Sequence, residues 1–264
     1  MRNNRIYLVL KSWIKKNILK KQSYTFPLVI NITNINEKKL LFRVYSQAEK
    51  TRIESFGKEK ECWEKFLGIL KSDDIIFDIG ASIGLYTIAS ANLVRNGKLY
   101  AFEPDPTTRS RLGENIRLNQ IKKVTIVPWA VSNLFGKIDL FTEGASGQNS
   151  PSISRTMVAN SPRRKITIRT NSLDNAIANK ELDIPDVLKI DIEGAEGLLF
   201  MGALKLLRGE FGKKPRFLLL ELHPNFLPAN GLKVNDIKEL MIKNGYTVTW
   251  SENRLDQEHL LYQI

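Results

Sequence analysis

Between residues 75 and 264, short apolar runs alternate with segments of helical spacing, and that alternation leaves few folds open. The runs are IIFDI (75–79), KLYAF (98–102), VTIVPW (124–129), KIDLF (137–141), ITIRT (166–170), VLKIDI (187–192), FLLLEL (217–222) and YTVTW (246–250). Several are apolar on both faces, as strands covered on both sides by helices are. Helical patterns fill roughly 84–95, 107–119, 195–207 and 233–244. The order is therefore βαβα, which predicts an α/β fold with a mostly parallel sheet. YTVTW and the closing HLLYQI are separated by SENRLDQE, too short for a crossover helix, and should pair as an antiparallel hairpin at the sheet's end. EGASGQNSPSISRTMVANSPRRK (143–165) has no periodicity and reads as a long polar loop.

With 264 residues and 42% hydrophobic content the chain can bury one sizeable core. The expected division is a basic segment over 1–45 and a catalytic domain over 46–264. The single cysteine, Cys62, leaves no internal disulfide framework, so a cytoplasmic setting is expected. Apolar residues in MRNNRIYLVLKSWIKKNILKKQ are broken by Lys11, Lys15 and Lys16, which argues against both a secretory signal and a spanning helix. The net charge of +12 is unevenly placed: residues 1–60 carry 14 Lys/Arg against 4 Asp/Glu, and the remainder 26 against 24. Ile6, Val9, Leu10, Trp13, Ile14 and Ile18 recur at helical spacing among lysines and arginines. Residues 1–22 could thus form an amphipathic helix that touches an anionic membrane surface, or one that packs on the domain.

The run IIFDIGASIGLYT (75–87) reads as strand, glycine-bearing turn and helix, the layout of a nucleotide-binding turn. A dinucleotide fingerprint would be G-x-G-x-x-G, with close backbone approach to a pyrophosphate. Here the order is Asp78, Gly80, Ala81, Gly84, and a carboxylate at the strand's end would repel a pyrophosphate. S-adenosylmethionine supplies what an acid wants, an ammonium and a sulfonium with no phosphate, and Gly80 and Gly84 let the backbone bend closely around it. AFEPD ends the next strand with Glu103, placed to accept hydrogen bonds from ribose hydroxyls. The expected cofactor set is Asp78, Gly80, Ala81, Gly84, Glu103 and Ala130.

A second constellation follows the strand at 187. LKIDIEGAE (188–196) brings Asp191, Glu193 and Glu196 to the carboxyl end of a buried strand, where open α/β sheets bind ligands. Buried acids need a cation, a proton or a donor; alternatively, Glu193 and Glu196 simply suit a helix N-terminus. LLLELHP adds Glu221 and His223, two residues apart and so on one face of a strand. Asp191, Glu193 and His223 are candidate bases, and Glu196, Glu221, Arg155 and Arg163 candidate acceptor contacts. Magnesium on Asp191, Glu193 and Glu196 is compatible with these hard oxygen ligands but is not required, and no metal is predicted. Arg155 and Arg163 lie in the long loop, which suits a lid over an acceptor bearing phosphate or carboxylate.

FDIGASIGLYT, AFEPDP, NIRLN (115–119), TNSLD (170–174), LKIDIEGAE and LLLELH (218–223), spread over roughly 46–224, resemble successive blocks of the FkbM family of S-adenosylmethionine-dependent methyltransferases. The resemblance implies a class I methyltransferase fold, Rossmann-like, with a seven-stranded sheet containing one antiparallel strand and helices on both faces. It also implies methylation of a hydroxyl on a sugar, glycan, glycolipid or secondary metabolite. Family members often carry Asn where this chain has Ser82, a swap that should leave cofactor binding intact. The competing functions are an RNA methyltransferase, suggested by a pI of 9.7, and a nonenzymatic membrane-surface protein built on the same core. The first lacks a base-flipping motif and has a nearly neutral catalytic half, so no nucleic-acid partner is expected. The second would have no reason to keep Asp78, Gly80, Gly84 and Glu103 together.

Overall fold

The central sheet is built from β3 (Ile75–Ile79), β4 (Lys98–Phe102), β5 (Val124–Val127), β9 (Val187–Ile190), β10 (Phe217–Leu222), β11 (Thr247–Arg254) and β12 (Gln257–Gln263). Its spatial order is β11-β12-β10-β9-β3-β4-β5, and β12 alone runs antiparallel to both neighbours. The seven strands are what the family resemblance implies, and the closing hairpin is the one expected from YTVTW and HLLYQI. The structure, a computed structural model, describes residues 24–56, 59–142, 164–227, 233–254 and 257–264. The amphipathic segment over 1–22 and the greater part of the loop, 143–163, lie outside the described residues.

Alternate residues of the strands enter two cores. Ile76 and Leu219 join Trp63, Phe66 and Ile88 on one face. Phe77, Leu188, Leu218 and Leu220 join Leu173, Leu199 and Leu207 on the other. At about 1.5–3 kcal/mol for each fully buried large side chain, this two-sided burial fixes strand register, since a one-residue slip would exchange the faces.

Helices α3 (Leu85–Leu93), α4 (Pro106–Leu118) and α8 (Val234–Lys243) lie where helical spacing places them. The pattern at 195–207 is instead two helices, α6 (Glu196–Met201) and α7 (Leu204–Arg208). At the break stands Gly202, where a Cβ would lie 2.1 Å from the Ser132 carbonyl oxygen, so only glycine fits. Asp174, in α5 (Leu173–Ala178), then caps α7 by accepting from the Lys205 and Leu206 N–H groups, each at 2.9 Å. The runs at 137–141 and 166–170 are strands, but they leave the main sheet. β7 (Gly136–Thr142) and β8 (Arg164–Asn171) pair antiparallel, with β6 (Ala130–Val131) on the far side of β8.

Residues 28–68 hold elements that no motif announced: the hairpin β1 (Leu28–Thr33) and β2 (Lys39–Val44), then α1 (Gln47–Glu54) and α2 (Lys60–Gly68). The NIRLN block secures this hairpin. Asn119 accepts from the Leu41 N–H at 2.9 Å and donates to its carbonyl at 2.7 Å. Asn115 accepts from the Arg43 N–H at 2.7 Å and donates to the Ile83 carbonyl at 3.0 Å, joining hairpin to glycine turn.

Candidate active site

After β3 the chain continues to β4 on one side, while β9 lies on the other, so the strand order reverses between β3 and β9. That is the switch point at which open α/β sheets bind ligands. Gly80 sits there with φ +83°, and a Cβ on it would lie 1.8 Å from the Asp191 backbone oxygen. Only glycine fits. Gly80 and Ala81 both donate to the Phe102 carbonyl, at 3.1 and 3.0 Å, which ties the turn to β4. Gly84, φ +103°, begins α3, and a Cβ there would press on Leu112 Cδ1 at 2.8 Å. Ser82 also has positive φ, +51°, a region that Asn tolerates better than most residues. Its N–H donates to Glu103 Oε2 at 3.0 Å, and Arg52 of α1 donates to its Oγ at 3.2 Å.

Two buried carboxylates flank this turn. Thr87 of α3 donates to Asp78 Oδ2 at 2.5 Å, whereas Asp78 Oδ1 has no hydrogen bond and faces Lys189 Nζ at 3.4 Å. Glu103 accepts from the Ser82 and Asp105 N–H groups. Burial pushes its carboxyl up to about 8, aided by the charge of Asp105 and opposed by those two donors. A turn with no room for side chains at Gly80, edged by a carboxylate oxygen without a hydrogen bond and by a second buried carboxylate, fits a ligand rich in donors and lacking phosphate. S-adenosylmethionine has that character, and these residues fit it. Ala130 lies half-exposed at the start of β6, paired with Thr170.

The remaining charges gather on the α3 side of the sheet. Lys189 is buried in the middle of β9, and its Nζ reaches Asp191 Oδ2 at 3.2 Å and the Gly80 carbonyl at 3.0 Å. Burial works against its charge, but Asp191, Asp78 and Glu221 outweigh it and raise its pKa. Asp191 is raised from the usual carboxylate range by burial and by the charge of Glu221, with Lys189 opposing. His223 Nδ1 bonds Glu196 Oε1 at 2.6 Å, and its Nε2 lies 3.3 Å from Glu221 Oε1. Against the penalty of burial, these two acids push the imidazole up to about 11. On β12, register neighbour to Glu221, His259 approaches Glu221 Oε2 at 3.4 Å and Glu59 Oε2 at 3.7 Å. It is pushed up to about 9 by both acids against burial.

A profile described as "Methyltransferase FkbM domain" matches residues 78–248. The chain belongs to the FkbM methyltransferases. It is an S-adenosylmethionine-dependent methyltransferase with the Rossmann-like sheet of class I. Among its relatives are "Hexuronic acid methyltransferase AglP" of Haloferax volcanii and "2-O-methyltransferase NoeI" of Sinorhizobium fredii. The first is 26% identical over 227 residues, 85% of each chain. The second is 25% identical over 185 residues, 65% of this chain and 72% of the other. The solved fibrillarin pre-rRNA processing protein of Methanococcus jannaschii aligns with a TM-score of 0.49 at 13% identity, over 93% of this chain and 86% of that one. No helix among the described residues is long and apolar enough to cross a membrane.

Within this FkbM methyltransferase, Asp78, Gly80, Ala81, Gly84 and Glu103 surround one turn, and Asp191, Glu221 and His223 meet at the neighbouring strand ends. Glu193 lies half-buried in the turn after β9. Glu196 departs from its expected place. It has no exposed surface and faces His223 rather than an acceptor, which also removes it from a magnesium set with Asp191 and Glu193. Glu221, likewise expected at the acceptor, is buried between two histidines. Arg155 and Arg163 lie outside the described residues, and Lys165 beside them pairs with Asp139 at 2.7 Å. Four participants carried no expectation: Lys189, His259, Glu59 and Arg52. Lys189 was legible as a charge inside the otherwise apolar VLKI, since such a residue must find a partner. The other three are singly placed in the sequence and gave no signal.

Proposed function

We propose that this protein methylates a hydroxyl of an acidic sugar unit, a uronate in a glycan or glycolipid, with Asp191 accepting the hydroxyl proton. The observation carrying the base assignment is exposure. The Asp191 side chain is 34% exposed beside Gly80, whereas Glu196, Glu221 and His223 are buried and bonded to one another. A carboxylate that keeps exposed surface next to the cofactor turn is poised for general-base work. His223 suits that role poorly, since it is buried and both ring nitrogens face carboxylates.

S-adenosylmethionine, when bound, supplies a methyl group already activated by its sulfonium. Everything else falls to the chain. Gly80 and Gly84 admit the ligand's methionine half, Glu103 takes its ribose hydroxyls, and Asp78 takes its positive end. Arg52, which forms no ion pair among the described residues, offers a partner for its carboxylate. Lys189 bonds Asp191 Oδ2 and so holds the base in orientation. The sugar class is supported by the two relatives, one named for hexuronic acid and the other for 2-O transfer. Arg155 and Arg163 are the candidates for the uronate carboxylate.

Radiolabelled methyl transfer to uronate-containing and matched neutral oligosaccharides tests the reading. Label should enter a hydroxyl of the uronate glycan preferentially, and equal transfer to both would remove the acidic-sugar assignment. Asp191→Asn should bind cofactor normally yet lose about 10²- to 10⁴-fold in turnover, the usual contribution of a positioned base. Full activity in that variant would sink the role of Asp191.

A further inference from the structure

We propose that the carboxyl ends of β9 and β10 form a divalent-cation site with Asp191, Glu221 and His223 Nε2 as its protein ligands. One ligand atom from each of these residues lies within 4.8 Å of the other two. A metal-binding imidazole commonly has its second nitrogen fixed by a carboxylate, which sets the tautomer and aims the free lone pair. Glu196 does this here. It is fully buried, bonds His223 Nδ1 at 2.6 Å, and leaves Nε2 facing Glu221 Oε1 at 3.3 Å and the Gln257 amide nitrogen at 3.4 Å. Phe226 stacks on the ring at 5.8 Å between centroids and holds its plane.

A separate observation comes from β12. His259 is 1% exposed, neither ring nitrogen has a hydrogen bond, and Nε2 points at Glu221 Oε2 from the side opposite His223. Glu221 is thus approached by two buried imidazoles, His223 hydrogen-bonded to Glu196 and His259 without a hydrogen bond of its own. Ion pairs of Asp78, Asp191, Glu196, Glu221 and Glu59 run only to Lys189, His223 and His259 among the described residues. Five carboxylates against three basic groups leave an excess of negative charge out of water even with both histidines protonated, and buried charges persist only when paired or metal-bound. Two carboxylates with one imidazole suit Mn²⁺ or Zn²⁺ better than Ca²⁺.

This site rests on the hydroxyl-acceptor reading for its use. A cation there would take two neighbouring oxygens of the sugar, the reacting hydroxyl and the adjacent hydroxyl or carboxylate, and lower the pKa of the first. The hydroxyl proton then passes to the non-ligating oxygen of Asp191. As the oxygen–carbon bond forms, the carbon–sulfur bond breaks and its electron pair stays on sulfur.

Titrating the chelator-treated full chain with Mn²⁺, and following the electron paramagnetic resonance of the free ion, reads binding without any turnover. The expected result is one saturable ion per chain, weakened about tenfold or more by Asp191→Asn, and about 10- to 100-fold by Glu196→Gln, which touches no metal. Melting curves confirm that each variant is folded. Absence of saturable binding, or binding indifferent to both substitutions, overturns the site. Asp191 is half-exposed, so its variant decides the matter even if Glu196→Gln fails to fold. Methyl transfer separates the two readings. Full-rate transfer in excess chelator by a chain that binds no Mn²⁺ removes the metal and leaves the methyltransferase reading intact. Tight Mn²⁺ binding that depends on Asp191, in a chain that methylates no sugar hydroxyl, supports the site and removes the acceptor.

Discussion

Glu103 makes cofactor affinity depend on pH in a direction that can be worked out. Its carboxyl is 4% exposed and pushed up to about 8 by burial, well above its ordinary range. In the free protein it therefore holds a proton between its unfolded value and about 8, so ionising it makes folded-state stability fall as pH rises through that window. Ribose hydroxyls donate to the ionised form, so the binding-competent fraction grows with pH and approaches completion above 8. At about pH 6 roughly 1% is ionised and at about pH 8 roughly half, which gives about 50-fold tighter binding at the higher pH, near 2 kcal/mol. The clean probe is 5′-methylthioadenosine, which keeps the ribose hydroxyls but lacks the α-amino and carboxylate groups of the methionine half. Calorimetry in buffers of different ionisation enthalpy should show close to one proton released per ligand near pH 6, and Glu103→Gln should bind weakly with no pH dependence. Affinity that is flat across this range, without proton release, would refute the assignment of Glu103 to the ribose.

Gly80→Ala should destabilise the protein by about 3 kcal/mol or more, because left-handed backbone strain adds to a collision with the Asp191 carbonyl; a denaturant melt that coincides with wild type would remove the claimed contact. Arg52→Ala should weaken S-adenosylmethionine about tenfold or more while leaving 5′-methylthioadenosine unchanged, since only the former carries a carboxylate. Equal losses for both ligands would mean that Arg52 merely supports the turn through Ser82. Asp174→Ala removes the cap of α7 and should cost about 0.5–2 kcal/mol in thermal or chemical unfolding with cofactor affinity unaltered.

The fold class and the cofactor turn were readable because their causes are local. A run such as IIFDI declares a buried strand through five consecutive side chains, and the spacing Asp78, Gly80, Gly84 declares a close backbone approach through the absence of Cβ atoms. Glu221 and His223 share a strand face for a similarly local reason, the two-residue period of β structure. What those periods do not contain is the partner. KIDLF and ITIRT have the pattern of strands, yet pattern alone does not say that they pair with one another and with β6 instead of extending the main sheet. The helical period over 195–207 is unbroken in the sequence, yet the chain forms two helices there, with Gly202 packed so close to the Ser132 carbonyl that no side chain fits.

The catalytic charges divide in the same way. That LKIDIEGAE carries acids at a strand's carboxyl end follows from the sequence by itself. That Glu196 turns inward to His223, that Lys189 joins Asp78 to Asp191, and that His259 and Glu59 meet Glu221 from opposite ends of the chain follow only from the sheet order. Propensity and steric fit act between near neighbours, so they are written in short spacings. Ionisation is set by every charge within a few ångströms and by the water removed around it, and for Glu221 and His223 those neighbours exist only once β9, β10 and β12 lie side by side.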